Sequence, residues 1–96
     1  MCGVKVGGPS LEGVDVTRET VIEGTVRLHG EPVAGAFVRL LDASGEFTAE
    51  VVTSESGGFR FFAAPGSWTV RALSAAGTGQ ASVEAGRGIT EATIAL

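Results

Sequence analysis

Ile22-Glu-Gly-Thr-Val-Arg-Leu-His-Gly-Glu-Pro-Val-Ala-Gly-Ala-Phe-Val-Arg-Leu40 and Gly57-Gly-Phe-Arg-Phe-Phe-Ala-Ala-Pro-Gly-Ser-Trp-Thr-Val-Arg71 decide the fold of this chain. Each stretch joins segments of period-two alternation through a Gly/Pro turn, the signature of strands half-buried against a core. Ile22, Gly24, Val26 and Leu28 share one side of the first strand, and Glu23, Thr25 and Arg27 the other. Ala36, Val38 and Leu40 point in, while Phe37, Arg39 and Leu41 point out. Phe59, Phe61 and Ala63 alternate with Arg60 and Phe62, and Trp68, Val70 and Ala72 with Thr69, Arg71 and Leu73.

Working outward, the same pattern predicts seven strands: Thr20–Leu28, Ala36–Leu41, Phe47–Thr53, Phe59–Ala63, Ser67–Ser74, Gln80–Glu84 and Ile89–Ala95. Pro65-Gly66 suits a type II turn, with Pro fixing φ and Gly accepting a positive one. No segment sustains helical periodicity, and fifteen Gly disfavour long helices. Seven short strands imply two packed sheets. Their expected core is Ile22, Val26, Val38, Leu40, Phe59, Phe61, Trp68, Val70, Val83 and Ile94. Trp68 is expected to contribute most, so that Trp68→Ala costs about 3–5 kcal/mol. Residues 1–19 are rich in Gly, contain Pro9 and show no period, which predicts a flexible or loosely docked arm ahead of one domain over 20–96.

Composition narrows the function classes. No apolar run approaches the ~20 residues of a spanning helix. Met1-Cys-Gly-Val-Lys-Val-Gly-Gly-Pro9 has neither the basic nor the apolar region of a secretion signal. A single Cys forms no internal disulfide, which fits a reducing compartment, so a cytoplasmic protein is expected. Seven Lys and Arg against eleven Asp and Glu, a net charge of -4, argue against nucleic acid or an anionic membrane as partner.

Four pieces occur in order: Gly24-x-Val26, Gly30-x-Pro32-Val33-x-Gly35-Ala36-x-Val38-x-Leu40, Gly58-Phe59-Arg60-Phe61, and Pro65-Gly66-x-Trp68-x-Val70. From Thr20 to Leu96 the chain thereby resembles the carboxypeptidase regulatory-like domain, which implies a seven-stranded transthyretin-like (prealbumin-like) β-sandwich. The wording of Gly35–Asp42 and Phe59–Gly77, with the Met1-Cys2-Gly3 start, is similar to a small actinobacterial family of unknown function. That family is carried beside rhodanese-type thiosulfate sulfurtransferases and labelled as sulfur-metabolism proteins. The resemblance implies a thiosulfate sulfurtransferase as partner. The transthyretin-like fold also hosts a hydroxyisourate hydrolase, which relies on several His and Arg and a C-terminal Tyr-Arg-Gly-Ser. This chain has one His, no Tyr and a Thr93-Ile-Ala-Leu96 end, so it lacks the residues for that activity.

Cys2 is the one strongly nucleophilic side chain. Removal of Met1 would set its thiol beside an α-ammonium, which favours the thiolate and would suit a persulfide carrier. The bland reading, an incidental free Cys, carries slightly more weight. An N-terminal amine and thiolate can hold nickel or copper, and His29 is the sole imidazole to join them, though a solvated turn is the simpler role for it. No cofactor is expected, and one Cys with one His falls short of a structural zinc set. Arg27, Arg39, Arg60 and Arg71 could form an outward basic stripe, against the simpler expectation of cross-strand pairing with Glu23, Glu50 and Glu84. Phe37, Leu41, Phe62 and Leu73 also point outward. The expected partner surface is therefore Phe37, Arg39, Leu41, Arg60, Phe62, Arg71 and Leu73, for a sulfurtransferase or a second copy. The expected function is a non-enzymatic accessory module, with the Cys2 sulfur carrier or a metal-dependent protein as the alternative.

Overall fold

The computed structural model describes residues 5–96, and every regular element in it is a strand. These are β1 (Lys5–Val6), β2 (Thr20–Leu28), β3 (Glu31–Pro32), β4 (Phe37–Leu41), β5 (Phe47–Val52), β6 (Gly58–Phe62), β7 (Gly66–Ser74), β8 (Gly77–Ala85) and β9 (Gly88–Ala95). Each of the seven expected segments contains a strand, within one to three residues at either end. The two-residue strands β1 and β3 raise the count to nine. Both are too short for any alternation to register.

Two sheets result. The five-stranded sheet runs β1-β5-β4-β7-β8. In the other, β2 pairs with β9 in parallel from Thr20 to Arg27, with β6 over Val21–Thr25 and with β3 over Arg27–Leu28. The β2–β3 connection is a two-residue hairpin in which His29 (φ 52°) and Gly30 (φ 83°) both adopt left-handed backbone. Two positive φ values define a type I′ turn, whose twist matches the flanking strands. Gly66 has φ 145°, far from the value near +80° of a type II turn, and it opens β7 instead of filling the turn.

The inner faces enclose Ile22, Val26, Val38, Leu40, Val70 and Ile94, all fully buried, with Phe59 and Phe61 beside them. The two Phe rings lie 6.1 Å apart and tilted by 51°, within the favourable range for aromatic pairs. Trp68 and Val83 pack against this cluster but are only partly buried, while Ala36, Val51, Ala72, Ala85 and Ala92 join it. Trp68 stands at the rim because its indole Nε1–H donates to the Ala64 carbonyl at 2.8 Å. A buried indole needs such a partner, and this one ties the ring to the β6–β7 connection. Thr53, 2 % exposed, is satisfied inside: its hydroxyl donates to the Val33 carbonyl at 2.7 Å and accepts from the Ala36 N–H at 2.9 Å.

Residues 5–19 are packed onto both sheets, unlike the flexible arm that composition suggests. Lys5 and Val6 pair in parallel with Val51 and Val52, and the Gly7 N–H donates to the Val52 carbonyl at 2.5 Å. Gly8 then lies directly on the Arg60 backbone, where an added Cβ would meet the Arg60 carbonyl oxygen. Arg60 Nη1 donates to the Pro9 carbonyl at 3.2 Å, and the Gly88 N–H to the Glu19 carbonyl at 2.8 Å. The segment thus joins β5 of one sheet to β6 of the other. Val21, which alternates with the inward Ile22, is fully buried yet separate from the core cluster.

Burial depth sets the expected order of destabilisation. Leu40→Ala should lower the stability by about 2–5 kcal/mol. Trp68→Ala, whose ring already meets solvent, should cost no more than about 3 kcal/mol. Urea unfolding of the two variants checks this, and a larger loss for Trp68→Ala would contradict the core described above.

Candidate functional site

The register of the five-stranded sheet sets its outward residues in rows. One row is Val6, Val52, Phe37 and Leu73 on four neighbouring strands. The next is Glu50, Arg39, Arg71 and Gln80, and the third is Phe47, Leu41, Thr69 and Ser82. Partners directly opposite on neighbouring strands share a face, so these rows form one surface. Val6 is 70 %, Phe47 61 % and Phe37 44 % exposed. Leu41 is only 7 % exposed, and the register with β5 shifts between Leu40 and Leu41. Arg39 Nε donates to Glu50 Oε2 at 2.8 Å, and its guanidinium lies 6.0 Å from the Phe47 ring centroid. Arg71 Nε donates to the Gln80 amide oxygen at 3.1 Å.

The expected partner surface is therefore divided. Phe37, Arg39, Leu41, Arg71 and Leu73 belong to the five-stranded sheet, whereas Arg60 and Phe62 lie on β6 in the other sheet. There Arg60 meets Glu23 at 3.4 Å, and Phe62 lines a recess with Gly13, Val14, Asp15 and Glu19. The four outward Arg form no continuous stripe. Arg27 turns to the hairpin, donating to the Gly30 carbonyl at 2.9 Å, and only Arg39 and Arg71 are neighbours. Sequence alone missed Val6, Val52 and Phe47. Val6 sits in a stretch without periodicity, and Phe47 lies beyond a bulge that breaks the simple alternation of β5.

Cys2 lies outside the described residues. His29 is exposed at the hairpin, and among the described residues no three His, Cys, Asp or Glu are grouped as a metal site. No helix of the described chain is long and apolar enough to cross a membrane. At one end of the outer surface, a recess of about 380 Å³ is lined by Asp42, Ser67, Thr69, Ser82 and Glu84, among others. Ser67 donates its hydroxyl to Glu84 there. Asp42 Oδ1 accepts from the Ser44 hydroxyl at 2.7 Å and from the Ser44 and Glu46 N–H groups at 2.9 and 3.0 Å. The Ser44 hydroxyl first, then the Glu46 N–H, hold this carboxyl below its ordinary value. Both partners are committed to the β4–β5 turn, so Asp42 acts as a turn residue.

Residues 2–96 match DUF1416, a family described as proteins of unknown function. The chain belongs to that family. It is 59 % identical over 99 residues to the uncharacterized proteins Rv0814c and Rv3118 of Mycobacterium tuberculosis, covering 100 % of this chain and 99 % of each relative. An uncharacterized protein of Mycolicibacterium smegmatis is 62 % identical over 84 residues, covering 85 % of this chain and 93 % of the relative. Among solved structures, the chain is similar to the dioxygenase domain of a dioxygenase carbohydrate-binding protein fusion from Streptomyces sp. SirexAA-E. The TM-score is 0.64 at 11 % identity, covering 98 % of this chain and 88 % of that one. That is a likeness of fold alone.

The Asp42 turn has a measurable pH signature. A carboxyl with a lowered folded pKa adds stability above its unfolded value near 4, and this is lost as pH falls through the lower folded value. Carbon-detected NMR titration should place Asp42 below an ordinary Asp, and Ser44→Ala should move it back up. An unchanged Asp42 titration in Ser44→Ala would show that the hydroxyl is not the cause.

Proposed function

We propose that this chain is a cytoplasmic, non-enzymatic docking module of sulfur metabolism, built as a transthyretin-like sandwich of the carboxypeptidase regulatory kind. The carrying observation is the outer surface of the five-stranded sheet. Phe37, Phe47 and Val6 stay exposed there beside Val52 and Leu73. Contiguous apolar surface of this kind marks interaction sites, whereas scattered exposed residues do not. The resemblance to proteins carried beside rhodanese-type enzymes supplies the partner: a thiosulfate sulfurtransferase. At physiological salt the two proteins should co-elute, and the double substitution Phe37→Ser with Leu73→Ser should abolish co-elution while preserving the fold. Separate elution of the wild-type proteins, with no change in transferase activity, would refute the module.

A second reading places a sulfur carrier on the same scaffold. It is favoured by the pairing of Lys5 and Val6 with β5, which tethers the N-terminal end of the chain to the rim of the docking surface. In this reading the Cys2 thiolate attacks the sulfane sulfur of thiosulfate, sulfite leaves, and Cys2 retains a persulfide. Intact mass after incubation with thiosulfate and the transferase should then show one added sulfur on protein with a native N-terminus. Equal addition to Cys2→Ser would refute it.

A further inference from the structure

Arg39 and Arg71 are direct register partners on β4 and β7. Like charges opposite one another on neighbouring strands are destabilising, and the one carboxylate in this row, Glu50, lies beside Arg39 and two strands from Arg71. Glu50 is bound to Arg39 at 2.8 Å, while Arg71 has only the neutral Gln80 amide at 3.1 Å and forms no ion pair among the described residues. The Ser67–Glu84 pair is four residues further along β7, about 13 Å away at 3.3 Å per residue. That exceeds the screening length of about 8 Å at physiological ionic strength. Within the row itself, two Arg stand against the single carboxylate of Glu50. Phe37 and Leu73 flank the two Arg on one side, and on the other Phe47 stands beside Arg39 and Thr69 beside Arg71.

We infer that Arg39 and Arg71 form an unfilled carboxylate seat, and that the fitting partner is a protein segment presenting Asp or Glu between apolar side chains. The inference rests on reading this surface as a docking face. A carboxylate entering between the two guanidiniums relieves their repulsion, and planar guanidinium groups match it with paired N–H donors. The flanking apolar residues bury the neighbours of the acid, so charge fixes position and apolar area supplies adhesion. Glu50 is the internal competitor for the seat. A second copy is the rival occupant, since Glu91 on β9 stands beside the exposed Ile89 on the opposite side of the sandwich.

The test is an amide chemical-shift titration with two synthetic peptides, acetyl-Val-Leu-Glu-Leu-Val-amide and its Gln counterpart. The Glu peptide should shift amides of β4 and β7 and bind about two- to fivefold more tightly than the Gln peptide, the range for exposed charge pairs. Arg71→Gln should erase that preference, Arg71→Lys should retain part of it, and Glu50→Gln should enlarge it. Equal binding of the two peptides at this face would overturn the seat while sparing the docking surface. Shifts confined to the other sheet, or no shifts with either peptide, would also overturn it. So would concentration-dependent self-association without peptide that Arg71→Gln abolishes, since the seat would then belong to a second copy. Co-elution with the transferase tests the docking reading independently of these outcomes.

Discussion

Of the described glycines, Gly24 leaves the least room for a side chain, and it sits at the centre of β2, the strand that joins the four-stranded sheet. A Cβ at this position would strike the Ala92 carbonyl oxygen of β9 and come within 2.9 Å of the Phe59 ring. The missing side chain lets β2 carry a parallel partner on one side while a Phe closes over it from β6. Parallel pairing with β9 spans Thr20 to Arg27, so β2 is the strand through which β3, β6 and β9 are held together. Ile22 and Val26, on either side of Gly24, are both fully buried. Their burial and the close approach at Gly24 are consequences of one constraint.

That constraint explains why so much of the fold was legible. Alternation about Gly24, through Val38–Leu40 and Phe59–Phe61, and at Val70 and Ile94 places eight of the ten expected core residues at 2 % exposure or less. The pattern is local, and burial of alternate apolar residues is enough to select it. What it cannot register is a contact whose cause lies elsewhere in the chain. Val21 belongs by alternation to the solvent side, yet it is fully buried between its register partners Phe62 and Ile89. Trp68 has the apolar bulk of a core residue, yet a hydrogen bond to Ala64 holds it at the rim.

The candidate site was legible for the same reason and failed for the same reason. Alternation correctly turns Phe37, Arg39, Arg71 and Leu73 outward, but strand order decides which outward residues are neighbours. Arg60 and Phe62 satisfy the same alternation on the opposite sheet, so a surface assembled from period alone merges two faces. The bulge near Leu41 adds a second failure, burying Leu41 while leaving Phe47 61 % exposed. Edge irregularities of this kind re-aim side chains without leaving a mark in the hydrophobic period.

The two outer faces differ because the N-terminal segment treats them differently. Gly7 to Pro9 pass from β5 to β6, and Gly13, Val14, Asp15 and Glu19 line a recess with Phe62. On that side Arg60 is already engaged by Glu23 and by the Pro9 carbonyl. On the five-stranded side the segment contributes only its Lys5–Val6 strand at the edge, and Val6 extends the apolar row there. The N-terminal segment thus engages Arg60 on one face, where Phe62 and Ile89 stay 45 % and 42 % exposed, while on the other it leaves Phe37, Phe47 and Arg71 uncovered. A sandwich of this size has two outer faces and one short segment with which to cover them. The segment therefore leaves most of the five-stranded face uncovered, with Val6 alone added to its apolar row.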